Sequence, residues 1–251
     1  MIMSFSAGCI SLRDTVNPPE ESTMESAEFM LNFDDGPLPD KTERILEMLA
    51  TLRSDDGSPI KAGFFLLADA PDEFWQQRMY YAPYELWTDK GSIAKYPEIA
   101  RRIQNAGHII GNHSTHHGWL RWPWLNTPQA VLGEFTEWEA IVKPVLGTSN
   151  SHLFRPPYFL LNAIVRNTAR QLGYRIVMGE SVGDAIPDVT LLAIKAKAQS
   201  ILMAWKKPYP CLLIFHENRP VTYMHLDEIV RNLQWLGFRL VHFDSKRLRT
   251  G

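Results

Sequence analysis

Seven short, apolar, β-rich runs punctuate this chain, and the segments between them are helical in pattern. EFMLNF, KAGFFLL, HIIG, HLFR, RIVM, CLLIF and RLVHF alternate with stretches of helical periodicity over 41–52, 96–106, 128–145, 162–172, 191–205 and 224–236. A strand that is apolar on both faces needs cover on both, and successive parallel strands need a crossover, which a helix supplies. Gly107, Gly173 and Gly237 each stand where a helical pattern gives way to a strand, the position of a left-handed cap. The expected fold is α/β: a distorted (β/α) barrel of about seven parallel strands in a single domain, with a doubly wound open sheet as the alternative.

Length agrees with one sizeable core, since 251 residues at 45% hydrophobic content exceed a minimal two-layer unit. The formal charge of −2, with lysines and arginines scattered, leaves no electrostatic footprint for nucleic acid. An uncharged or mixed substrate fits better. No window approaches the roughly 18 apolar residues of a membrane span. Two cysteines, Cys9 and Cys211, are too few for a disulfide framework. Oligomeric state has no signature in the sequence.

Residues 1–27 differ in character. TVNPPEESTMES reads as a flexible linker, and the catalytic domain is expected to span 28–251. SFSAGC, ending at Cys9, loosely resembles a lipoprotein processing site with a shortened signal segment, against the plainer reading of a frayed terminus with an incidental cysteine. The lipoprotein reading puts the protein in the periplasm or cell envelope, lipid-anchored at Cys9; the cytoplasm is the alternative.

Chemistry-bearing residues gather where these strands end. In LNFDDGPLPD, Asp34 and Asp35 close the first strand and Gly36 and Pro37 turn the chain. Two adjacent carboxylates repel unless a cation separates their duties: a divalent metal on one leaves the other free as a base. A solvated turn is the simpler account of DDGP by itself. IIGNHSTHHGWL follows the third strand, with His113 and His117 four apart and His116 as a competing ligand. Two imidazoles and one carboxylate form a three-ligand set with positions open for water and substrate, a catalytic arrangement rather than a closed structural one. FRPPY places Arg155, and LLIFHE places His216, at two further strand ends, the first suited to pair with a carboxylate and the second to donate a proton.

FDDGP, HSTHH, RPPY and IFH, in that order, resemble the motifs of the polysaccharide deacetylases with the NodB-homology domain, carbohydrate esterase family four. The resemblance covers most of the chain from Glu28 to Asp244 and implies a distorted barrel of about seven βα units. It further implies that Asp35, His113 and His117 hold one divalent metal, zinc first and cobalt or nickel as alternatives. Asp34 becomes the general base, oriented by Arg155. The oxyanion falls at the backbone N–H of Tyr158, His216 protonates the leaving amine, and Ile214 walls the acetyl pocket. The implied reaction removes acetyl groups from N-acetylated amino sugars of a peptidoglycan- or chitin-like polysaccharide. An O-acetyl esterase and a non-catalytic carbohydrate-binding relative are the other readings.

Two departures from the family pattern stand out. VMGESVGDAIPD lacks the tryptophan of the fourth motif; Asp184 is the expected partner of His216, with Asp188 as the substitute. DEFWQQRMYYAPYELWTDKGSIA reads as an insertion whose Trp75, Tyr80, Tyr81, Tyr84 and Trp87, with Trp119, Trp122 and Trp124, either stack on sugar or pack as a cap.

Overall fold

The computed structural model describes residues 27–86, 88–147 and 152–248. Cys9, residues 1–26 of the segment expected to be a flexible linker, and Trp87 lie outside the described residues.

Among the described residues, eight strands form one all-parallel sheet. In chain order they are β1 (Glu28–Gly36), β2 (Gly63–Leu66), β3 (Ile109–Asn112), β4 (Leu153–Phe154), β5 (Arg175–Ile176), β6 (Glu180–Ser181), β7 (Cys211–His216) and β8 (Arg239–Leu240). The pairing order β5-β4-β3-β2-β1-β7-β6 follows the chain around a circle that stays open between β5 and β6. β7 holds one edge of β1 from Phe29 to Asp34, so β2 and β8 share the other edge, β8 at Glu28–Phe29 and β2 from Asn32 onward. The result is an incomplete barrel, in line with the expected architecture. A cleft of about 290 Å³ lies at the opening, lined in part by Ile176, Val177, Gly179, Glu180 and Leu212.

Seven helices accompany the sheet among the described residues: α1 (Lys41–Thr51), α2 (Phe74–Tyr80), α3 (Pro97–Asn105), α4 (Pro128–Leu146), α5 (Ala163–Gln171), α6 (Leu191–Ala204) and α7 (Pro220–Trp235). Their starts carry local chemistry. Thr127, Asn162 and Thr190 accept from the third backbone N–H after them, and Pro97, Pro128 and Pro220 occupy the first turn, where no donor is missed. Gly107, Gly173 and Gly237 adopt φ of 80°, 74° and 89°, the left-handed turn expected of them.

Two faces of the strands bury different things. Phe29, Leu31, Phe33, Phe64, Leu213 and Phe215 pack outward against helical residues such as Ile45, Leu49, Trp138, Leu226 and Ile229. Met30, Phe65, Leu153, Val177, Leu212, Val241 and Phe243 form a second cluster drawn from strands and strand ends all round the sheet, the barrel interior. Period-2 alternation therefore points Asn32 and Asp34 inward with Met30, and Ile214 and His216 inward with Leu212.

Strict strand–helix alternation fails at one place. β5 and β6 are joined by Val177–Gly179 with no helix between, and β6 is the strand that adds an eighth to the expected seven. Its two polar residues, Glu180 and Ser181, are strand only because they pair with Leu213 and Ile214. α2 is the other addition, formed inside the aromatic insertion.

Candidate active site

Adjacent residues of a regular strand point to opposite faces, so Asp34 and Asp35 could not both face one site without an irregularity. The register supplies one. Asp34 pairs with Phe65 and Gly36 with Leu66, leaving Asp35 as the extra residue of a bulge with φ of 73°. Gly36 follows because the Glu217 carboxyl occupies the space of a side chain there: a Cβ would lie 2.0 Å from Glu217 Oε1. Thr42 donates to the other oxygen of Glu217, whose burial pushes its pKa up to about 8.

Asp34 Oδ1 accepts from Arg155 Nη1 at 2.7 Å. Arg155 crosses the barrel interior fully buried: Nη1 also donates to Asn32 Oδ1, Nε donates to Val177 O at 3.2 Å, and Cζ sits 4.0 Å over the Phe65 ring. The second carboxylate oxygen, Asp34 Oδ2, faces His113 Nε2 at 3.9 Å.

Beyond β3 the chain folds back on its own polar groups. Asn112 Oδ1 accepts from Ser114 N at 2.6 Å and Ser114 Oγ from His117 N at 3.0 Å, with Ser114 and His117 at φ of 72° and 58°. This turn aims both rings inward. His113 Nε2 and His117 Nε2 lie 3.6 Å and 3.2 Å from Asp35 Oδ1, and the three ligand atoms all fall within 4.8 Å of one another. Desolvation brings His113 down to about 4, chiefly overriding the pull of Asp34, so the ring is neutral. Burial alone would raise Asp35, but Lys90 and His117 outweigh it and hold the carboxyl well below the usual carboxylate range. Asp35 Oδ1 is buried with no hydrogen-bond partner. A deprotonated carboxylate oxygen without a donor, between two imidazole nitrogens, is a donor set that fits a divalent cation.

His116 turns elsewhere. Its Nδ1 lies 2.9 Å from Glu134 Oε1, its backbone N–H donates to Glu134 Oε2 at 2.8 Å, and its ring stacks on Tyr80 at 4.3 Å. The structure brings His113 and His117 to Asp35 and leaves His116 out.

On the neighbouring strand β7, register sets His216 beside Asp34. Asp184 Oδ1 lies 2.8 Å from His216 Nδ1, while Oδ2 accepts from His216 N at 2.6 Å and from Thr222 Oγ1 at 2.7 Å. Burial would lower His216; Asp184 overrides it and raises the imidazole to about 9, so it carries a proton at neutral pH. Asp188 is exposed on the following turn. Ile214 is fully buried, with Gly179 leaving room for its side chain. Tyr158 has φ of 56°; its ring lies 4.5 Å from that of His117 and its hydroxyl accepts from Ala82 N at 3.1 Å.

Four further residues at the site carry no motif. Asn32 and Glu217 flank the two motif strands, and Glu85 and Lys90 come from the insertion. Lys90 Nζ lies 2.5 Å from Asp35 Oδ2 and 3.0 Å from Glu85 Oε2 with its side chain fully buried. A polar residue inside an apolar strand was the available signal for Asn32; nothing local marks Glu85 or Lys90. The aromatics divide: in the insertion Trp75 and Tyr84 are exposed and Tyr81 is buried, while beyond β3 Trp122 stacks on Trp124 at 4.9 Å, their indoles donating to Tyr81 O and Met79 O. The last two brace α2.

The sequence model of the family described as polysaccharide deacetylase matches residues 21–177. A chitin deacetylase of Pestalotiopsis sp is 29% identical over 149 residues, 59% of this chain and 40% of that protein. The peptidoglycan-N-acetylmuramic acid deacetylase PdaA of Bacillus subtilis (strain 168) is 32% identical over 154 residues, 61% of this chain and 56% of that one. Both alignments span less than two thirds of the relative's length. Among solved structures, the chitin deacetylase from the fungal pathogen Colletotrichum lindemuthianum superposes with a TM-score of 0.69 at 19% identity, covering 91% of this chain and 90% of that one, a likeness of fold.

Proposed function

The chain belongs to the polysaccharide deacetylase family, and on that premise we propose that it is a metal-dependent hydrolase removing acetyl groups from N-acetylated amino sugars of a peptidoglycan- or chitin-like polysaccharide. The observation that carries this reading is the convergence of Asp35, His113 and His117, with ligand atoms within 4.8 Å of one another, between an aspartate–arginine pair and an aspartate–histidine pair.

Each pair then has a task. Asp35, His113 and His117 would hold a divalent cation, zinc first, whose charge would polarise the acyl carbonyl and acidify water. Asp34, steered through Oδ1 by Arg155, offers Oδ2 to the attacking water and takes its proton. Water oxygen bonds to the acyl carbon, the C–N bond breaks, and the His216 proton goes to the departing amine. Asp184 fixes the His216 ring and stabilises its charged form. Tyr158 contributes its backbone N–H to the oxyanion and Ile214 an apolar wall to the methyl group. Acetate and a free amino sugar result.

Polymers of this kind lie outside the cytoplasm, so the chain acts in the periplasm or cell envelope on this reading, with Cys9 as the residue to carry a lipid. No helix among the described residues is long and apolar enough to cross a membrane.

Acetate release from chitin oligomers, peptidoglycan fragments and acetylated xylan, compared side by side with and without a chelator, tests the proposal. Release from an N-acetylated substrate that stops on chelation is expected. Release from xylan alone makes the chain an O-acetyl esterase; saturable binding of all three without release makes it a carbohydrate-binding relative.

A further inference from the structure

We propose that the insertion is part of the metal centre: Glu85 is the carboxylate that orients His117, and Lys90 the cation that occupies the second oxygen of Asp35. This rests on the reading of Asp35, His113 and His117 as ligands, each of which has a second polar atom to place.

An imidazole that gives one nitrogen to a metal normally donates from the other to a carbonyl or carboxylate, which fixes the ring and its tautomer. His113 follows this, with Nδ1 at 2.9 Å from Arg155 O. Asp35 gives Oδ1 to the triad, and Oδ2 is taken by Lys90 Nζ at 2.5 Å. His117 is the remaining ligand. Its Nδ1 is buried without a hydrogen-bond partner and faces Glu85 Oε2, an oxygen that also contacts Lys90 Nζ at 3.0 Å, across 3.6 Å. That separation exceeds a hydrogen bond by a few tenths of an ångström, which a small tilt of the ring closes. Lys90 joins the two arms, since the same ammonium contacts Asp35 and Glu85.

The segment carrying both residues is fastened to the site along its length. Ala82 N donates to Tyr158 Oη at 3.1 Å, Asn218 Nδ2 to Asp89 O at 3.0 Å and Gly91 N to Asp35 O at 3.0 Å. Burying a lysine this completely is costly without compensation, and a buried ion pair by itself is a weak source of stability. A role in holding ligands accounts for the placement. The two charges also act on a bound cation in opposite senses: Glu85 attracts it and strengthens His117 as a donor, whereas Lys90 repels it and keeps Asp35 to one oxygen.

Opposite signs make the test. Metal-stripped wild type, Glu85→Gln, Glu85→Asp and Lys90→Gln are titrated with Co2+, following absorption spectra and heat, alongside circular dichroism and thermal melts of each metal-free protein. Glu85→Gln should weaken Co2+ binding by about 10–100-fold, and Glu85→Asp, which keeps the charge on a shorter arm, should recover part of that loss. Lys90→Gln should bind at least as tightly as wild type, with a changed Co2+ spectrum as Asp35 gains freedom. Should Glu85→Gln fail to fold, Glu85→Asp carries the comparison. Wild-type affinity in every variant, or equal weakening at Glu85 and Lys90 in step with lost thermal stability, overturns the inference while leaving the metal site standing. A wild type that takes up no Co2+ overturns the metal site itself.

Discussion

Two neighbouring aspartates of like charge differ in their partners: Asp34 meets Arg155, while Asp35 meets Lys90 and two imidazoles. Their amides should therefore differ in phenotype. In Asp34→Asn, metal stays bound while turnover falls by about 10²–10⁴-fold, the usual contribution of a positioned base; Asp35→Asn loses metal instead. Metal analysis beside rate measurements checks this, with His116→Ala as the control that retains metal. His216 titrates where pH–rate profiles can follow it. Its folded pKa of about 9 lies above the ordinary value near ~6.5, so the proton is held below that folded pKa and lost as pH rises through it. The corresponding stability is fully present below ~6.5 and gone above the folded pKa. Removing the raising charge in Asp184→Asn should move the alkaline limb of kcat/KM down toward ~6.5; an unmoved limb would assign it to another group. Asp184 is the partner expected from the sequence, with Asp188 four residues on along the same loop as the substitute. The fold bears out that order by bringing both the His216 backbone N–H and its Nδ1 to Asp184.

Elements differ in how openly they announce themselves. β1, β2 and β7 are buried on both faces and mostly apolar, so their sequences carry a clear signal. β6 carries none, because two polar residues become strand through their neighbours. Glu85 and Lys90 were hidden for a related reason: Lys90 meets Asp35 across 55 positions of chain, and no periodicity marks either residue. Four motifs adjoining strand ends were readable because a barrel collects such ends at one mouth. The segment from Ala82 to Ser92 depends on one close approach. A Cβ on Gly91 would lie 1.7 Å from Pro37 O, and that atom is backbone that cannot swing aside. Gly91→Ala should displace the segment and expose its peptide bonds, so limited proteolysis should cut there faster while far-UV circular dichroism stays close to wild type. Unchanged cleavage would show that the loop between β1 and α1 yields instead.

For the molecule as a whole, the barrel interior holds a fully buried guanidinium beside its hydrocarbon. Arg155 is held by Asn32 and Asp34 on β1, the Phe65 ring on β2 and Val177 just beyond β5. Removing one member of a buried pair leaves the other charge uncompensated, at about 3–5 kcal/mol, whereas replacing both with apolar groups is often neutral. Urea unfolding should therefore place Asp34→Ala about 3 kcal/mol below wild type and return Asp34→Leu with Arg155→Met most of the way; additive losses would mean the pair does not couple.

That arrangement bears on inheritance. A gene copy relieved of any need for turnover cannot let Asp34 drift alone, because the first change strands the arginine in the middle of the barrel and the fold weakens at once. Both codons have to change before the core is sound again, and the intermediate is the least stable of the three. The chemistry of the site is thereby shielded by the stability of the protein that houses it.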